Sequence, residues 1–210
     1  MLYYIQKGSE TMDNIIITIG RQYGSGGRMI GQKLAKDLNI PCYDKELLTI
    51  AAKESGFSEE IFKTMDEKPT GSFLYSLVSG TYGTNHLPLN HKLFLAQFDA
   101  IRSIAEKGSC VIVGRCADYA LEDYPVKCIN VFIHADLQDR VTRAIEEYGI
   151  SPDKAEETVQ RTDKQRASYY NFYSDKKWGV VDHYDITLDS SKLGIDNTVE
   201  MIKHFISLNQ

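Results

Sequence analysis

The chain has 210 residues, a formal net charge of −5 and four cysteines. That length suits one domain with room for an inserted mobile subdomain. The lack of a long basic run argues against nucleic acid as a partner. With no apolar stretch of about 18 residues and no secretory leader, no membrane association is expected and a cytoplasmic location is. Cys42, Cys110, Cys116 and Cys128 lack any C-x-x-C spacing, which predicts reduced thiols rather than a zinc site or a disulfide framework.

Residues 1–12 form a leader of unclear role, and a single domain is expected over residues 13–210. Ile15–Ile19 is a β-branched run of the kind found in a fully buried strand. It runs into Gly20, Gly24, Gly26 and Gly27 and then into helical spacing through Met29, Ile30, Leu34 and Leu38. Strand, glycine turn and helix together aim backbone N–H groups and a helix N-terminus at an anion, most often a phosphate. Gly31 in the first helix costs about 1 kcal/mol against alanine, which predicts close packing on a strand. Pro41-Cys42-Tyr43 is a short second strand, and Asp44 opens a helix through Ala52.

Between Gly56 and Asn90 the pattern weakens and reads as helical pieces with loops, the candidate moving flap. Phe94, Phe98, Ile101 and Ala105 recur at helical spacing up to Gly108. Cys110–Val113 is a third buried strand delivering Gly114-Arg115, and Cys128–Ile133 a fourth. Leu137, Val141, Ala144, Ile145 and Tyr148 form the next helix stripe. Ser151-Pro152 marks a helix start, with serine as N-cap and proline at the first position. That helix carries Arg161, Asp163, Lys164 and Arg166, then the rings of Tyr169, Tyr170, Phe172, Tyr173 and Trp178. Tyr184–Leu188 is a fifth strand, and Ile195, Val199, Ile202 and Phe205 close the chain as a helix. Five strands alternating with helices predict an α/β fold: a parallel sheet covered on both faces, with ligands at the C-terminal edge of its strands.

That edge collects Arg28, Asp44, Arg115 and Asp118, and the later helices add Arg140, Arg143, Arg161 and Arg166. Several arginines beside a glycine turn suit multiple phosphate groups, because guanidinium binds phosphoryl oxygens bidentately. Phosphoryl transfer needs positioning and charge neutralisation, which such residues provide.

The segments I-x-R-Q-Y-G-S-G-G-R-x-I-G, I-P-C-Y-D-K-E-L-L and V-I-V-G-R-C-A-D-Y, with Asp163-x-x-Arg166-x-x-Tyr169-Tyr170 and Tyr184-Asp185-Ile186, resemble the cytidylate kinase-like family. The resemblance runs from about Ile15 to Phe205. It implies a three-layer P-loop kinase fold with a five-stranded parallel sheet, inserted NMP-binding helices over residues 57–96, and a lid over residues 150–180. It also implies small-molecule nucleotide substrates: ATP with Mg²⁺ as donor and a pyrimidine monophosphate such as CMP or dCMP as acceptor. On that basis Gly24, Ser25, Gly26, Gly27 and Arg28 bind phosphate, and Asp44, Arg115 and Asp118 meet the acceptor. Arg140, Arg161, Asp163 and Arg166 belong to the lid, with Arg28, Arg161 and Arg166 acting in transfer. No residue is assigned as a metal ligand, and no pattern speaks to oligomeric state.

The standard phosphate loop reads G-x-x-x-x-G-K-[ST]. Aligned on Gly26, this chain has Arg21 for the first glycine, Gly27 for the lysine and Arg28 for the hydroxyl residue. Two outcomes are open: a kinase in which Arg28 replaces the lysine charge, or a nucleotide-binding protein without catalysis. A rival from another class is an NAD(P)-dependent short-chain oxidoreductase, from Gly20-x-x-x-Gly24-x-Gly26, Tyr173-x-x-x-Lys177 and Asp44 as a ribose-binding acid. Too little chain follows for a six-stranded dinucleotide fold.

Overall fold

The computed structural model describes residues 14–65 and 87–209. Its elements are β1 (Ile15–Arg21), α1 (Gly27–Leu38), β2 (Cys42–Tyr43), α2 (Glu46–Ser55), α3 (Glu59–Met65) and α4 (Leu89–Ala105). There follow β3 (Cys110–Val113), the four-residue α5 (Ala117–Ala120), β4 (Lys127–His134), α6 (Leu137–Glu146) and α7 (Pro152–Ser174). A 3-10 turn, Val181–His183, leads to β5 (Ile186–Asp189) and α8 (Ser190–Leu208). Most of the flap expected between Gly56 and Asn90, and of the NMP-binding insertion over residues 57–96, lies outside the described residues. The leader does as well.

The five strands form one parallel sheet in the order β2-β3-β1-β4-β5. Alternate side chains divide it into two cores. Ile15, Ile17, Ile19, Val111, Val113, Val131 and Ile133 pack with Ile30 and Leu34 of α1 and Val199 and Ile202 of α8. Ile16, Cys110 and Ile112 face Leu47 of α2 and Ile101 and Ile104 of α4. Each fully buried isoleucine of this kind contributes about 1.5–3 kcal/mol. Helices on both faces of a parallel sheet are the layered arrangement expected from alternating elements. The order differs from the 3-2-1-4-5-6 sheet of dinucleotide folds.

Register explains the end of β1. The apolar run ends at Ile19, yet β4 continues pairing through Gly20↔Phe132 and Arg21↔Ile133. Strand β3 stops at Val113, opposite Ile19, so one side of Gly20-Arg21 is left for the turn that follows β3. Gly31 fits the predicted close packing: a Cβ there would lie 2.9 Å from Val113 Cγ2 and 3.1 Å from Ile19 Cδ1.

Other boundaries move by tertiary context. Helix α2 begins at Glu46, leaving Asp44 in the turn before it. Strand β5 begins at Ile186, where pairing with Val131 starts, so Tyr184 precedes it. Helix α6 buries Arg140 and Ala144, while Leu137 and Tyr148 from the expected apolar stripe are exposed. Ser151 and Pro152 do start α7, although the serine makes no side-chain capping bond. All four cysteines are free. Among the described residues no helix is long and apolar enough to cross a membrane.

Candidate functional site

Strand β1 is the switch point of the sheet: its crossover leads past β3 to β2, whereas β3 is followed by β4 on the other side. Ligands in open α/β sheets sit outside the strand C-termini at such a point. A cleft of about 310 Å³ lies there, lined by Arg21, Gln22, Tyr23, Gly24, Gly26, Gly27, Arg28, Asp44, Lys45, Arg115, Tyr148 and Arg166.

The glycine turn forms one wall. Gly24 and Gly26 have φ of 78° and 79°, a left-handed conformation that a side chain disfavours. A Cβ on Gly24 would also collide with the backbone carbonyl of Arg140. Gly26 caps α1, whose first-turn amides have no intrahelical acceptor and carry the positive end of the helix dipole. Ser25 faces inward. Its hydroxyl donates to Gln22 O at 2.8 Å and its carbonyl accepts from Ser190 Oγ at 2.6 Å, which ties the turn to α8.

The second wall is the turn after β3. Gly114, Arg115 and Cys116 are three consecutive left-handed residues, with φ of 79°, 58° and 54°. Left-handed backbone costs about 1–2 kcal/mol for each non-glycine residue, and such strain clusters at functional sites. Here it buries the Arg115 side chain, whose Nη1 donates to Asp44 Oδ1 and to Val113 O, both at 3.0 Å. The other Asp44 oxygen, Oδ2, lies 2.9 Å from Arg28 Nε. Arg28 and Arg115 thus meet across a single carboxylate, although they come from opposite walls.

Helix α7 covers the cleft. Asp163 Oδ1 accepts the Tyr23 N–H at 2.7 Å, and its Oδ2 pairs with Arg140. Arg140 also donates to Ala135 O and Tyr23 O, and Arg143 to Gly24 O. These two arginines and Asp163 therefore bind the turn's backbone from outside the cleft. Arg166 enters it: Nη1 donates to Arg21 O at 3.2 Å, and its Cζ lies 5.5 Å from the Tyr23 ring. Arg161 stands away, exposed beside Glu157 at 4.0 Å. Burial and the neighbouring Tyr148 phenol raise the Tyr23 pKa, with Arg166 opposing, so the phenol stays protonated at neutral pH.

Asp118 sits in an adjoining aromatic pocket with Tyr169, Tyr170, Trp178 and Tyr184. It accepts the Tyr170 hydroxyl at 2.6 Å. Burial raises its pKa, while the hydrogen bonds from Tyr170 and the Tyr119 N–H and the charge of Lys176 oppose the shift. Tyr173 does not point to any cofactor site: its ring stacks on Phe94 at 3.9 Å and its hydroxyl donates to Asn90 O. The aromatic cluster of α7 thus packs onto α4.

Arg21, Tyr23, Lys45 and Tyr148 line the cleft without having been singled out by sequence. Arg21 carried a signal, since it directly precedes the glycine turn. Its guanidinium fills the space that a Cβ on Gly114 would take.

The cleft suits a triphosphate: open helix amides on one wall, and Arg21, Arg28, Lys45, Arg115 and Arg166 around them. Among the described residues that line it, the carboxylate of Asp44 has each oxygen on a guanidinium, and the Ser25 hydroxyl is engaged with Gln22 O. Among the described residues no group of three or more His, Cys, Asp or Glu is placed to hold a metal ion.

Comparison with known proteins gives the family and the fold. The model of the cytidylate kinase-like family matches residues 16–192. A cytidylate kinase from Methanopyrus kandleri is 22% identical over 203 residues, covering 90% of this chain and 92% of its own. An uncharacterized protein from Eubacterium ventriosum ATCC 27560 has a solved structure that is 34% identical, with a TM-score of 0.68 over 92% of this chain and 98% of its own. Shikimate kinase from Bacteroides thetaiotaomicron shares the fold at 14% identity, with a TM-score of 0.55 over 92% and 98% of the two chains. With its five-stranded P-loop kinase fold, the chain belongs to the cytidylate kinase-like family.

Proposed function

We propose that the protein transfers the γ-phosphoryl group of ATP to a nucleoside monophosphate, with a pyrimidine monophosphate such as CMP or dCMP as acceptor. The observation that carries this reading is the cleft, in which Arg21, Arg28, Lys45, Arg115 and Arg166 line the same space as a glycine turn and the Asp44 carboxylate. The pyrimidine acceptor is supported by the family membership and by the similarity to a cytidylate kinase.

In this reading the amides of Gly26, Gly27 and Arg28 hold donor phosphate oxygens at the positive end of α1. Arg28 brings a guanidinium where the standard loop has a hydroxyl residue, and its exposure leaves it able to turn toward the donor. Arg166 reaches in from α7 as the lid's contribution, and Arg115 with Asp44 shapes the acceptor side. Asp118 orients acceptor groups from the adjoining pocket. An acceptor phosphate oxygen attacks the γ-phosphorus as the bond to the ADP oxygen breaks. The arginines neutralise the charge on the transferring oxygens, and no covalent enzyme intermediate forms. Arg140 and Asp163 act by holding the turn, and Arg161 lies beside Glu157, outside the described cleft lining.

Thermal protection tests the ligand class. ATP should raise the melting temperature while NAD and NADP leave it unchanged. The reverse would return the protein to the dinucleotide class.

A further inference from the structure

We infer that Tyr148 reads the terminal phosphate of the donor, its phenol donating a hydrogen bond to a γ-phosphoryl oxygen, so that the cleft distinguishes ATP from ADP. This rests on ATP being the donor, as proposed above.

Tyr148 lies in the connection between α6 and α7, and the local backbone fixes it there. The Ile150 N–H donates to Ala144 O at 3.1 Å, which folds the chain back on the last turn of α6. Gly149 between them takes a left-handed φ of 66°, a conformation open to glycine at no steric cost. Core packing does not account for the tyrosine. Its spacing places it on the apolar stripe of α6, yet it is 36% exposed and lines the cleft.

Inside the cleft its ring meets Tyr23 edge-on, with centroids 5.4 Å apart and planes at 67°. Arg166 Cζ lies 5.5 Å from the same Tyr23 ring, so Tyr148 and the lid arginine gather on one residue of the glycine turn. Burial raises the Tyr148 pKa, and the charges of Arg143, Arg166 and Arg28 oppose it while Glu147 adds to it. The phenol therefore stays protonated at neutral pH, as a hydrogen-bond donor. Arg28 and Arg166 are the side chains assigned above to the transferring oxygens, and a phenol that feels both charges stands beside that same group. The Tyr170 and Tyr173 hydroxyls are committed to Asp118 and Asn90 O, whereas among the described residues no group accepts from Tyr148. A hydrogen bond to an ionised acceptor is also roughly twice as strong as one between neutral groups.

Tyr148→Phe keeps the ring against Tyr23 and removes only the hydroxyl. Calorimetric titration of the full-length parent and this variant with ATP and with ADP, in one magnesium buffer, tests the inference. ATP affinity should fall about tenfold in the variant while ADP affinity changes by less than about twofold. Affinities for ATP and ADP that fall together, or that both stay at the parent values, would overturn the inference and leave the kinase reading standing. A parent that binds no ATP would overturn both.

Discussion

Asp44 Oδ1 accepts a hydrogen bond from the Arg115 guanidinium at 3.0 Å, and both side chains are buried. The residues are 71 positions apart, and the left-handed turn after β3 is what brings them together. Arg28 approaches the same carboxylate from the exposed side. Asp44 is therefore the keystone between the glycine turn and the β3 turn.

Removing one partner of a buried ion pair strands the other, at a cost of about 3–5 kcal/mol. Asp44→Ala should lose that much in urea denaturation. Arg28→Ala, whose side chain is 46% exposed, should lose less than about 1 kcal/mol. Equal losses would mean that the buried pair with Arg115 does not dominate.

Ligand binding should separate the same two arginines differently. Arg28→Ala should weaken ATP binding by about tenfold and leave monophosphate binding nearly unchanged. Arg115→Lys, which keeps a charge beside Asp44, should weaken monophosphate binding more than ATP binding. Titrations of both variants with both ligands decide it, and parallel losses would contradict the assignment of the two walls.

Gly24→Ala combines a left-handed φ with a collision against the Arg140 carbonyl. A loss of about 2 kcal/mol or more is expected, since left-handed backbone alone costs about 1–2. ATP binding should fail together with stability. A variant melting like the parent would show that the turn relaxes without Arg140.

Burial raises the pKa of Asp118 above its ordinary 3.8, so the folded protein disfavours the ionised carboxylate. Native stability from this group is greatest in acid and falls as the pH rises through the raised folded-state value. Asp118→Asn keeps an oxygen for the Tyr170 hydroxyl and has no charge to bury. It should melt above the parent at neutral pH, with the difference shrinking on acidification. A difference that grows in acid would reverse the sign of this account.

Strand β3 was legible residue for residue, because Cys110–Val113 is apolar on both faces and bounded by turn residues. The end of β1 was not: Gly20 and Arg21 break the apolar run, and only the register with β4 extends the strand through them. Within the site, the glycine turn and Arg115 announced themselves by following buried strands. Arg140 did not separate from Arg166 by sequence, since both are arginines on helices after β4. Burial divides them, one bound to Ala135, Tyr23 and Asp163 and the other lining the cleft. The Asp163 bond to the Tyr23 N–H spans 140 positions and has no local signature. The stacking of Tyr173 on Phe94 is equally tertiary, and it separates a packing role from a catalytic Tyr-Lys pair.

The most direct measurement is ADP release from ATP across a panel of nucleoside monophosphates in magnesium-containing buffer. The account predicts turnover with CMP or dCMP ahead of the other monophosphates. No ADP release with any acceptor, from a protein that binds ATP, would contradict it and leave a nucleotide-binding protein without catalysis.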